Sequence, residues 1–306
     1  MLSSASLDFA VETFNLSKSY ASGTFALDGL NLKIRKGEVY GLLGPNGAGK
    51  TTALRLLVGL LAPTSGTAIV AGHSPGDPRG LGRIGCFIEA PAFYPYLSGR
   101  DNLRVLADLA NIPYFKVEAA LSEVALQAQA GQKFKGYSLG MKLRLGVAAA
   151  LFKEPELLIL DEPTNGLDPT GMLQMRSLMH ALGQQGSTII FSTHLMTEVE
   201  QICDRVGILR QGKLVAEGTV SELRGLPGLL VRASPPDRAE AILRALLGDK
   251  AVAAVAGAFH LTVHPARSAE IAAALTGAGL QLSELRQRDR TLEEVFFQFT
   301  TPGASR

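Results

Sequence analysis

The stretch EVYGLLGPNGAGKTT, Glu38–Thr52, carries a short apolar run into a glycine-rich turn and then into a lysine and two threonines. Its residues 44–51 fit the spacing G-x-x-x-x-G-K-[ST], with a strand signal before them and the helical pattern KTTALRLLVGLL after them. Gly44, Gly47 and Gly49 let the backbone wrap closely around phosphate, and the next helix presents unpaired N–H groups and its positive end. Lys50 is expected to reach the terminal phosphates and Thr51 to place its hydroxyl on Mg²⁺, with Asn46, Ala48 and Thr52 completing the nucleotide-binding set. Strands alternating with helices around this loop predict an α/β core with a largely parallel sheet.

A second stretch, LLILDEPTNGLDP (Leu157–Pro169), runs four apolar residues straight into two adjacent carboxylates, Asp161 and Glu162. A phosphate-bound Mg²⁺ needs a carboxylate at the end of a neighbouring strand, which assigns Asp161. Adjacent side chains diverge, so Glu162 takes a different task, orienting and deprotonating the water that attacks the γ-phosphate.

Further strand signals are GTAIVAG (66–72), GRIGCFI (82–88), STIIFST (187–193) and RVGILRQGKLVAEG (205–218). Between about residues 89 and 152 helix dominates, which predicts a helical subdomain inserted into the core of a first domain, 1–221. Residues 222–306 read as β-α-β-β-α-β-α, a small α+β ferredoxin-like accessory domain with no chemical constellation. His260 and His264 fall in an apparent strand there and read as solvated or partly buried.

Composition excludes several classes. With 30 basic and 28 acidic residues the net charge is +2, so no global field draws the chain to nucleic acid. Cys86 and Cys203 form no ligand-like pair and are expected in the core. The N-terminal MLSSASLDFAVETF lacks a basic segment followed by an apolar one, and no run reaches the roughly 18 apolar residues that span a bilayer. The expectation is a cytoplasmic chain.

With further motifs in order around these two, residues 8–220 resemble the ATP-binding cassette (ABC) ATPases. YSLGMKLRLGVAAAL (137–151) is similar to the family's signature, usually L-S-G-G-Q; Ser138 and Gly140 match, while Leu139 replaces a glycine and Met141 the glutamine. The resemblance implies that Ser138 caps a helix whose N-terminus binds the γ-phosphate of ATP held by another subunit. It implies a D-loop aspartate at Asp168, a switch histidine at His194 beside the γ-phosphate, and an adenine-stacking aromatic at Tyr20. At the family's usual glutamine stands Glu89, which keeps an oxygen for Mg²⁺ or water but adds negative charge.

The form of the IEAPAFYPYLSG segment, the SLGM signature and the ending RTLEEVFFQFT look like ATPase subunits of bacterial drug, bacitracin-type and lantibiotic-immunity exporters. What this implies is an ATPase that binds ATP and Mg²⁺, with Glu162, His194 and Lys50 catalytic and Thr51, Asp161 and Glu89 toward the metal. It implies an ATP-dependent homodimer, or a pair with a related cassette, at the cytoplasmic face of the membrane. There it would power export of a drug, peptide antibiotic or lipid-like compound through a separately encoded permease. A soluble ABC ATPase acting on ribosomes or DNA usually carries two cassettes or a long inserted coiled coil, and this sequence shows neither. A non-hydrolysing regulator has no need of Glu162 and His194.

Overall fold

The computed structural model describes residues 8–20, 23–89, 92–225, 227–255 and 257–300, with side chains up to 297. Part of the N-terminal stretch, residues 1–7, and Ala90 and Pro91 of the IEAPAFYPYLSG segment lie outside the described residues. The chain divides after Thr219 into two compact units.

The first unit begins with an antiparallel sheet. Strand β1 (Phe9–Ser19) lies between β2 (Phe25–Leu30) and β3 (Lys33–Arg35), and β5 (Ser65–Val70) also pairs with it. GTAIVAG, read as a strand, forms β5 in this antiparallel sheet, where Val11–Phe14 pair with Thr67–Val70.

Strand β4 (Val39–Leu43) is buried at every position, as a strand covered on both faces must be, and so reads as a continuous apolar run. Helix α1 (Lys50–Leu57) follows it, and α2 (Pro78–Leu81) leads into β6 (Ile84–Phe87). Three helices then form the inserted segment: α3 (Gly99–Leu109), α4 (Tyr114–Glu123) and α5 (Leu139–Leu151). Ser98 caps α3 by accepting the Asp101 N–H. The chain returns through β7 (Leu157–Asp161), α6 (Pro169–Gln184), β8 (Thr188–Thr193), α7 (Met196–Ile202), β9 (Arg205–Arg210) and β10 (Lys213–Gly218).

The second sheet has the order β10-β9-β4-β8-β7-β6 and is parallel except for the β9–β10 hairpin. One apolar cluster joins Leu103, Val117 and Leu145 of the helical segment to Leu160, Met179 and Phe191 of the core. Each such buried side chain contributes about 1.5–3 kcal/mol. The cysteines divide: Cys86 is exposed on the edge strand β6, against expectation, whereas Cys203 is half-buried beneath Gly41. Burial pushes the Cys203 thiol well above its usual range, which makes it an inert packing group.

The second unit contains α8 (Val220–Arg224), β11 (Gly228–Ser234), α9 (Pro236–Leu247), β12 (Val252–Val255) and β13 (Ala258–Leu261). It continues through α10 (Ser268–Gly277), β14 (Gln281–Arg288) and α11 (Leu292–Thr300). Its antiparallel sheet has the order β12-β13-β11-β14, and Val231, Phe259, Leu243 and Ile271 share its core. His260 is half-buried beside Arg288, and His264 is exposed.

Candidate active site

The phosphate loop connects β4 to α1 through backbone that only glycine adopts freely. Gly47 has φ 78° and Gly49 φ 104°, and a Cβ on Gly49 would collide with the Ala26 carbonyl. Helix α1 has no side-chain cap, so its first N–H groups remain open to an anion. The loop and Thr52 line a cavity of about 330 Å³ that Glu162 and Asn165 close from the other side. Lys50 is buried to 5% exposure; its ammonium donates to the Gly44 carbonyl at 2.7 Å and the Pro45 carbonyl at 3.3 Å.

Parallel register between β7 and β8 sets Asp161 opposite Ser192. The Ser192 hydroxyl donates to Asp161 Oδ1 at 2.5 Å, and the Thr51 hydroxyl donates to Asp161 Oδ2 at 2.9 Å. An oxygen-only set of one hydroxyl and one carboxylate suits a hard cation that takes its remaining ligands from phosphate and water. Among the described residues no group of three or more His, Cys, Asp or Glu is placed to hold a metal ion.

Glu162 stands one residue further with φ 46°, a left-handed angle that swings its carboxylate away from Asp161's. Its N–H donates to Ser192 Oγ at 2.9 Å. One oxygen lies 3.1 Å from Lys50 Nζ and the other 2.9 Å from His194 Nδ1. The carboxylate thus bridges the phosphate-loop lysine and the histidine at the end of β8.

The remaining predicted residues fall elsewhere. Ser138 caps α5 by accepting the Met141 N–H at 3.2 Å, and Asp168 caps α6 by accepting the Gly171 N–H at 2.8 Å. Ser138, Gly140 and Asp168 line a separate cavity of about 360 Å³ that shares no residue with the first. Leu139, in place of the usual glycine, covers Gly166. Tyr20 is half exposed, with the Lys18 ammonium 5.6 Å from its ring centroid. Glu89, with φ 69°, is ion-paired with Arg55 on α1 and largely exposed, and it is not brought to Thr51 or Asp161. Sequence reasoning misses Ser192, Asn165 and Ala26. A polar residue ending an apolar strand hints at Ser192, but only the strand register gives it a partner.

A central parallel sheet, an uncapped phosphate-loop helix and a two-acid strand end define a phosphate-loop nucleotide hydrolase. The sequence profile of the ABC transporter family matches residues 27–165. The chain is 45% identical over 221 residues to the bacitracin transport ATP-binding protein BcrA of Enterococcus faecalis, covering 71% of each. It is 42% identical over 203 residues to the lantibiotic transport ATP-binding protein SrtF of Streptococcus pyogenes, covering 66% of this chain and 88% of that one. Among solved structures, cbiO1 from Clostridium perfringens, part of the ABC transporter complex cbiONQ, superposes with TM-score 0.63 at 30% identity. That match covers 69% of this chain and 89% of cbiO1. A dimeric ATP-binding cassette in a post-hydrolysis state, bound to ADP and Pi, gives 0.62 at 25% identity and covers 69% and 99%. The chain belongs to the ABC transporter family, as an ATP-binding and ATP-hydrolysing subunit.

Proposed function

We propose that this ATPase drives export of a drug, peptide antibiotic or lipid-like compound through a separately encoded membrane permease. The reading draws on the bacitracin and lantibiotic transport relatives. Among the described residues no helix is long and apolar enough to cross a membrane, so the path for cargo is assigned to another chain at whose cytoplasmic face this subunit works.

The bridge from Lys50 through Glu162 to His194, beside the Thr51–Asp161 contact, carries the chemical assignment. Residues 44–52 hold the phosphates of ATP, and Tyr20 stacks on its adenine. Thr51 and Asp161 would hold Mg²⁺, which would supply neutralisation of charge on the phosphates. Lys50 gives up Glu162 for phosphate, which frees that carboxylate to take the proton of the attacking water. His194 and Lys50 then face the charge that develops on the transferred group. Glu89, held by Arg55 on α1, is assigned to link nucleotide state to the permease in place of the family's usual metal-facing glutamine.

Ser138, Gly140 and Asp168 line a cavity separate from the one that the phosphate loop lines. That separation supports a head-to-tail dimer, of two copies or with a related cassette, in which each ATP lies between one chain's phosphate loop and the other's Ser138. Residues 1–221 are assigned as the cassette, with the helical subdomain at about 89–152. Residues 222–306 are assigned as a ferredoxin-like accessory domain; their β-α-β-β-α-β order with strands arranged β12-β13-β11-β14 supports it.

The test is isolation of the tagged Glu162→Gln chain, trapped with ATP, from gently solubilised native membranes, with mass spectrometry of what accompanies it. A polytopic membrane protein in roughly equimolar amount is the expected result, by analogy with family architecture. Recovery only from the soluble fraction, with ribosomal or DNA-bound material, would overturn the transport reading.

A further inference from the structure

A charged pair lies inside the first unit, away from the phosphate cavity. Glu198 on α7 is 0% exposed, and a carboxylate removed from water needs compensation by hydrogen bonds or a countercharge. Its Oε2 accepts the Thr193 hydroxyl at 2.6 Å. Its Oε1 has no hydrogen-bond partner among the described residues, and neither has the Nε of Arg176 on α6, which stands 3.9 Å from it. The guanidinium is anchored at its other end, where Nη1 donates to Gln201 at 3.3 Å. Each group is therefore one bond short, and each faces the other across a gap slightly too wide for that bond.

Thr193 connects this pair to the active site. Its single hydroxyl proton goes to Glu198, and the same oxygen accepts the Leu195 N–H at 3.0 Å, closing the turn from which His194 projects. The Thr193 carbonyl accepts the Gly44 N–H at 3.2 Å, so the residue before His194 is fixed to both α7 and the phosphate loop. At the other side, Arg176 rides on α6, the helix that Asp168 caps.

We propose that Glu198 and Arg176 are a positioning pair that sets the place of His194 and ties it to α6. A movement of α6 that closes the 3.9 Å gap gives the buried carboxylate its missing donor and reorients the Thr193–Leu195 turn. The state of the Asp168 end of α6 is thereby transmitted to the histidine within one chain. The proposal rests on the ATPase assignment only in taking His194 as the residue that faces phosphate.

The test uses the full chain with Arg176→Gln, Glu198→Gln and both together, with Arg176→Lys as the conservative variant. The His194 ring signals, assigned by His194→Gln among five histidines, are followed by NMR beside ATP turnover and the thermal midpoint. Both single variants are expected to shift the His194 signals, Arg176 acting through Glu198 and Thr193. They should lower kcat roughly tenfold while the KM for ATP stays within about twofold. The double variant should be no worse than the worse single one, because the two residues act as a unit, and Arg176→Lys should recover part of the loss. Unmoved His194 signals in Arg176→Gln, or losses that multiply in the double variant, overturn the proposal. Should Glu198→Gln fail to fold, Arg176→Gln decides alone. A native chain that turns over no ATP would refute the ATPase assignment instead, and the His194 signals would still decide the pair.

Discussion

Glu162 keeps a left-handed backbone angle that a non-glycine residue adopts at a cost of order 1–3 kcal/mol, and the angle separates its carboxylate from that of Asp161. Its two oxygens are committed to Lys50 and His194, so the charge of the glutamate is what the arrangement needs as well as its shape. Glu162→Gln should therefore retain ATP, measured by nucleotide-binding titration, and lose turnover by about 10²–10⁴-fold, the usual range for a general base. Undiminished turnover would remove Glu162 from the chemistry. Ser192→Ala tests the support beneath it. The substitution leaves the Glu162 N–H without its acceptor and Asp161 with the Thr51 hydroxyl but without its donor from β8, and should cost about 1–3 kcal/mol in denaturant unfolding, with slower turnover. The two acids are legible because they are adjacent in the chain and follow an apolar run. Ser192 is not, because its place depends on the β7–β8 register, which neither strand encodes alone. Glu89 shows the same limit from the other side: its position by motif suggests the metal, and the turn at φ 69° delivers it to Arg55.

Elements buried on both faces are the ones the sequence declares most plainly. Strand β4, Leu157–Leu160 of β7 and Ile189–Phe191 of β8 read as apolar runs, since a parallel central strand has no solvent face on which to alternate. Strand β1 is different: its burial alternates irregularly, its register shifts against three partners, and Asn15 breaks the pleat with φ 48°. No period survives that to be recognised, so the antiparallel sheet appears only with its partners in place. The strand–loop–helix junction at Gly49 is where local geometry is most restrictive. Gly49→Ala adds a Cβ at φ 104° against the Ala26 carbonyl and should abolish ATP binding, while circular dichroism stays close to native because the β4 strand and α1 are otherwise untouched. In the second unit His260 couples β13 to pH. Burial, with help from Arg288, holds its folded pKa below the usual histidine value, so the unfolded chain binds the proton more readily. The stability this contributes is present above the unfolded histidine value and is lost as pH falls through the lowered one. Unfolding of residues 220–300 should become easier as pH drops below about 6.5, and His260→Gln should flatten that dependence in thermal melts recorded across the range.

At the scale of the whole chain, the two units hold separate apolar clusters: Val231, Phe259 and Ile271 pack among residues of the second unit, and no candidate for ATP chemistry lies beyond His194. The hydrophobic energy that shapes the phosphate loop is thus contained in residues up to Thr219, and a chain ended there should fold and bind ATP as the full chain does. Turnover separates the two tasks open to the second unit. If that unit only supports a contact with the permease, the shortened chain should hydrolyse ATP within about threefold of the full chain at every protein concentration, since no catalytic group has been lost. If it helps pair two cassettes, turnover should fall at low protein concentration and recover as concentration rises, because in the proposed head-to-tail dimer Ser138 of one chain reaches ATP on another and mass action can replace a lost dimer contact. A steady-state assay over a wide range of protein concentration, with nucleotide binding measured on the same samples, distinguishes these outcomes. Loss of ATP binding itself would instead show that the first unit needs the second to fold, against the separation of their cores.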